Sequence, residues 1–88
     1  MGEVMSFEST ITEIDNLDPD LTIYVEEPWT IDSKTVVEQE PEMEIVPKYL
    51  KEHNFSYFLE VFLVQELKSD LGDDFNAQKV IDYAINDA

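Results

Sequence analysis

The run Ser56-Tyr-Phe-Leu-Glu-Val-Phe-Leu-Val64 is the most apolar stretch of the chain, and it constrains the fold more than any other. With no cysteine in the sequence, no disulfide can staple a chain this short, so packing must hold it together. The run therefore belongs in a core. Over 56–60 it reads as a buried, aromatic-rich strand. From about Phe62 the period changes, and Val61, Val64, Leu67 or Lys68, and Leu71 recur at helical spacing up to Gly72, a residue suited to end a helix. The pattern predicts a strand over 56–60 joined directly to a helix over 62–71.

The rest of the chain supplies what this strand and helix pack against. Leu21-Thr-Ile-Tyr-Val-Glu26 alternates, with Leu21, Ile23 and Val25 on one side and Thr22, Tyr24 and Glu26 on the other, as a half-buried strand does. Thr35–Glu38 predicts a second strand, antiparallel to the first across a loop in which Asp32 or Ser33 bonds to the backbone. Upstream, Phe7, Ile11, Ile14 and Leu17 give a helix over 6–17, capped by Ser6 and stopped at Asp18-Pro19. Pro47 suits the first turn of a short helix over 45–54. Asp73 or Asp74 is the expected cap of a last helix whose apolar face is Phe75, Ala77, Val80, Ile81, Ala84 and Ile85. One α+β domain follows: a small sheet of about three strands covered by three to four helices.

Charge narrows the function. The sequence has 21 acidic residues against 5 lysines and no arginine, a net charge of −16. Residues 1–33 contain nine acidic residues and no basic one. Such a field repels nucleic acid and anionic lipid and attracts basic surfaces. No apolar run approaches the roughly 20 residues that span a bilayer. The first residues lack the basic and apolar blocks of a signal peptide, so a cytoplasmic location is expected. Met1-Gly2 with Ser6 fits the myristoylation pattern in form, but the pattern is short and often met by chance, and an ordinary chain start is the favoured reading.

The densest acidic stretch is Glu38-Gln39-Glu40-Pro41-Glu42-Met43-Glu44. If extended, it places all four carboxylates on one side, roughly 6–7 Å apart, with no lysine between them. Pro41 confines the stretch to a sheet edge or a loop. Either it is a solvated loop, or its charge meets a positive partner. Glu26, Glu27 and Asp32 would add to such a binding edge. Trp29, in a proline-containing loop between acidic segments, is either its apolar anchor or a lid on the core.

Other chemistries find little support. His53 is the only histidine, and nothing complements it as a catalytic base. Gly2 and Gly72 are the only glycines, too few for a phosphate cradle. Asp15-x-x-Asp18-x-Asp20 and Asp70-x-x-Asp73-Asp74 lack the glycine and closing glutamate of a calcium loop. Hence no catalytic residue, metal or cofactor is expected.

Val25 to Trp29, the acidic insertion after Val36-Val37, Tyr57-Phe58-Leu59, and the closing Ile81-Asp82-Tyr83 with Asn86-Asp87-Ala88 resemble a group of small acidic bacterial domains. Over about residues 21–88 the chain is similar to immunity proteins of polymorphic-toxin and contact-dependent inhibition systems. That resemblance implies a partner, a toxin domain and often a basic nuclease, whose active site is occluded; it implies no catalytic residues. A DNA mimic of anti-restriction or anti-CRISPR type, a metal-dependent regulator or small enzyme, and a non-inhibitory accessory subunit are the competing expectations.

Overall fold

The computed structural model describes residues 4–41 and 46–86, and every structural statement below concerns those residues. The strands are β1 (Val4–Ser6), β2 (Thr22–Glu26), β3 (Lys34–Glu38) and β4 (Phe55–Glu60). The helices are α1 (Phe7–Thr12), α2 (Lys48–Glu52), α3 (Val61–Leu71) and α4 (Ala77–Asn86). All strand pairs are antiparallel, in the order β1-β3-β2-β4. The α+β class holds, and so does the antiparallel pairing expected between the strands at 21–26 and 35–38.

The alternation of β2 sorts two cores. Ile23 and Val25 face α1, α3 and α4, where they pack with Phe7, Ile11, Val64 and Val80. Tyr24 faces the other way and packs with Val36, Leu50 and Phe55 beneath α2. β4 has an irregularity opposite Ile23 and Tyr24, where Tyr57 pairs with Tyr24 but Leu59 pairs with Ile23. The extra residue, Phe58, joins Leu59 in the larger core. A bulge thus lets two consecutive large side chains serve one face. Phe58 meets Phe7 edge-on at 4.9 Å and Trp29 at 4.8 Å, which locks the start of α1 and the Trp29 loop onto the sheet.

Three expectations need correction. β1 is a fourth strand, beside β3, that three residues of weak pattern did not announce. The helix expected over 6–17 is α1 followed by a 3₁₀ turn at Ile14–Asn16. Thr10 and Thr12 donate their hydroxyls to the carbonyls of Ser6 and Glu8 (both 3.0 Å), a local competition that weakens a helix already poor in strong formers. Ser6 does cap it, accepting from the Ser9 N–H at 3.2 Å. Finally, α4 is capped by Asn76, whose Oδ1 accepts from the Lys79 N–H at 2.9 Å, while Asp73 and Asp74 lie in a 3₁₀ turn after α3. That turn begins at Gly72, which takes a φ of 57° at the end of α3, a conformation that favours glycine.

Candidate partner-binding face

The register of the sheet places Glu38 opposite Thr22 and Thr22 opposite Glu60. These three residues form one row across β3, β2 and β4, on the face that carries α2. The adjoining row on that face is Val36, Tyr24 and Tyr57. With strands roughly 5 Å apart, Glu38 and Glu60 stand about 10 Å from each other across Thr22. Both are half-buried, and Glu40, just past β3, is exposed. Tyr49 reaches down from α2 and donates its hydroxyl to the Glu38 carboxylate. Three carboxylates and three tyrosines therefore converge at one end of the sheet.

The tyrosines respond to this surrounding. Tyr24 has no exposed surface, and its pKa is pushed up to about 12, first by burial and then by the Glu40 carboxylate; a hydrogen bond with Thr22 opposes the shift, while Glu38 and Tyr57 reinforce it. Tyr49 is also pushed up to about 12, by burial of its ring first and then by the hydrogen bond to Glu38. Since 40% of Tyr49 remains exposed, solvent screens this shift and it adds little to stability. Tyr57 moves in the same direction through burial, then Glu60 and Glu40. Among the described residues, the one ion pair is Lys68 with Asp15, on the opposite side of the sheet. Among the described residues, none of Glu38, Glu40 and Glu60 is ion-paired with a lysine.

Of the residues expected in a binding edge, Glu38 and Glu40 lie together here. Glu42 and Glu44 fall outside the described residues, as does the Met1-Gly2 pattern. Glu26 ends β2 at the far side of the sheet, opposite Phe55 and roughly 14 Å along the strand from Thr22. Glu27 is exposed beside it, before a cis bond to Pro28, with its backbone bonded in both directions to Asn54 (3.0 and 3.1 Å). Asp32 is exposed on the loop leading to β3. In that loop Ser33 is the organising side chain, accepting from the Thr30 N–H and donating to the Pro28 carbonyl (both 2.9 Å). Trp29 is half-buried: its ring packs on Phe58 and its indole N–H donates to Ser56 Oγ at 3.1 Å. The acidic residues thus gather at two ends of the sheet and not along a single edge.

Glu60 and the three tyrosines were not expected at this site. Strict alternation puts Tyr57 and Glu60 on opposite faces, and only the bulge at Phe58 brings them to the same one. The aspartates of the first candidate metal cluster are otherwise engaged: Asp15 pairs with Lys68, and Asp18 Oδ1 accepts from the Asp20 N–H at 2.9 Å. Among the described residues, no group of three or more histidine, aspartate or glutamate side chains is placed to hold a metal ion, and no helix is long and apolar enough to cross a membrane. No family model, curated protein or solved structure matches this chain.

Proposed function

We propose that this chain is a binding protein, not an enzyme, that neutralises a basic protein partner in the cytoplasm, in the manner of an immunity protein facing its toxin. The observation that carries the reading is the convergence of Glu38, Glu40 and Glu60 on Tyr24, Tyr49 and Tyr57, with none of the three carboxylates ion-paired among the described residues. Tyrosine offers rigid contact area with a polar tip, and carboxylates take up lysine and arginine heads. Opposite charge would also speed the encounter. The test uses a toxin domain encoded next to this chain's gene. Glu38→Gln/Glu40→Gln/Glu60→Gln should slow association about tenfold or more at low salt and flatten its salt dependence. Unchanged affinity and on-rate would remove this face from the interface.

The wide spread of exposed carboxylates beyond this face, Glu8, Asp18, Asp20, Asp70 and Asp82 among them, supports a second reading, a DNA mimic. A mimic would compete with duplex DNA for several unrelated DNA-binding proteins, whereas an immunity protein would hold one cognate partner.

A further inference from the structure

A groove of about 470 Å³ runs between α1 and the start of α4, on the side of the sheet opposite the tyrosine face. Its floor is apolar: the half-buried Phe75 offers most of it, with only the edges of the core residues Ile11 and Ala77 showing. Glu8 of α1 and Glu13, just past its end, form one wall, both exposed. Glu13 Oε2 accepts from the Asn16 side-chain amide at 2.9 Å, and no hydrogen-bond or ion-pair partner is found for the Glu8 carboxylate among the described residues. At the groove's end lies Lys68, its ammonium 5.9 Å from the centre of the Phe75 ring and paired with Asp15. Asp73 and Asp74 immediately precede Phe75 and are exposed.

The Lys68 arrangement is informative about what else fits. It holds its ammonium over an aromatic ring and pairs it with a carboxylate, a combination of apolar and acidic contacts suited to a long basic side chain. The rest of the groove repeats those ingredients with no cation supplied: an apolar floor under two carboxylates, in a molecule whose overall field draws in positive charge. An anionic or neutral segment would meet repulsion or leave Glu8 and Glu13 uncompensated, while a fully polar basic segment would leave the floor uncovered.

We propose that this groove docks a basic amphipathic segment of the partner, with apolar side chains on Ile11, Phe75 and Ala77 and lysine or arginine heads at Glu8 and Glu13. The inference rests on the reading that the partner is basic, and adds a second contact on the opposite side of the sheet.

The probe is a synthetic helical peptide of leucine and lysine with leucine at helical spacing, compared with an oligolysine of equal charge, each titrated into the full-length 15N-labelled protein. The expected result is saturable amide shifts at Ser9, Thr12 and Asn76 with the amphipathic peptide, and weaker binding of oligolysine there. Glu8→Gln/Glu13→Gln should weaken the amphipathic peptide about five- to tenfold, as loss of two exposed charge pairs predicts. Phe75→Leu, which keeps the core filled, should weaken it as well. Saturable shifts confined to the tyrosine face would overturn the groove and leave the basic-partner reading standing. Equal binding of both peptides at the groove would overturn the amphipathic assignment. No saturable shift with either peptide would overturn the groove and the basic-partner reading together.

Discussion

Alkaline unfolding offers a direct test of the tyrosine face. Tyr24 is fully buried, with a pKa of about 12 where an unfolded tyrosine titrates near 10. Tyrosine is neutral while protonated, so the raised pKa means that the folded protein holds this proton more tightly than the unfolded chain. The associated stability is fully present below about pH 10 and is lost as pH rises through the folded pKa of about 12. Two pH units correspond to about 2.7 kcal/mol, of which about 2 kcal/mol is gone by roughly pH 11.5. A chain of 88 residues is typically stable by about 4–13 kcal/mol, so the loss is a substantial share. Urea midpoints of wild type and Tyr24→Phe at about pH 8 and about pH 11.5 isolate the contribution. Phenylalanine also removes the bond to Thr22, so the two proteins are compared in their change with pH and not in their level. The variant should lose about 2 kcal/mol less than wild type over that interval. Glu40→Gln should lower the Tyr24 titration midpoint, followed by tyrosinate absorbance, yet leave it above 10 because burial is the larger cause. An identical alkaline loss in wild type and Tyr24→Phe would refute the account of Tyr24. An unmoved midpoint in Glu40→Gln would refute the placement of Glu40 beside it.

Phe58→Ala removes the ring that joins Phe7 and Trp29, and should cost about 3–5 kcal/mol in urea unfolding followed by the fluorescence of the single tryptophan. A cost below about 1 kcal/mol would mean that this corner is not the joint between helix and sheet. Glu60→Gln should do the opposite and stabilise the protein. Two carboxylates about 10 Å apart repel by about 0.4 kcal/mol in a water-like medium and about 1.7 kcal/mol at a partly shielded surface, so the melting temperature should rise by a few degrees at low salt and less at high salt.

The sequence announced most of the elements because their periods are clean. β2 alternates over its full length, Gly72 ends α3 where the helical spacing stops, and Asn54, with a φ of 69°, closes the α2 turn near the expected end. What it hid has specific causes. β1 has only three residues, and its pairing with β3 is a long-range fact that no local pattern carries. Asn76 outcompeted two aspartates as a cap, a choice decided by where the chain re-enters a helix. The bulge at Phe58 inverted the parity of Glu60 and so concealed the site, since a one-residue slip exchanges the faces of everything beyond it. The three tyrosines are far apart in sequence, and Tyr24 reads only as a residue on the polar side of its strand until the sheet brings it beside Tyr57 on the adjacent one.

That concealed row also bears on why the carboxylates are there at all. Most acidic side chains of this protein are exposed, where water relieves their mutual repulsion at little cost. Glu38 and Glu60 are different: each is drawn half into the sheet, across Thr22 from the other, beside tyrosines whose pKa is raised first by burial and then by nearby carboxylates. Among the described residues, no ion pair uses the charge at either position. Gln39 is next in sequence, and glutamine at 38 would still accept the Tyr49 hydroxyl; threonine already fills the middle of the row. A polar residue without charge would pack as well and repel less. Local rules broken without a folding return are expected where function sets the residue. Under the proposed function the row Glu38–Thr22–Glu60 is such a place, and a basic partner would supply the cations that turn its repulsion into attraction.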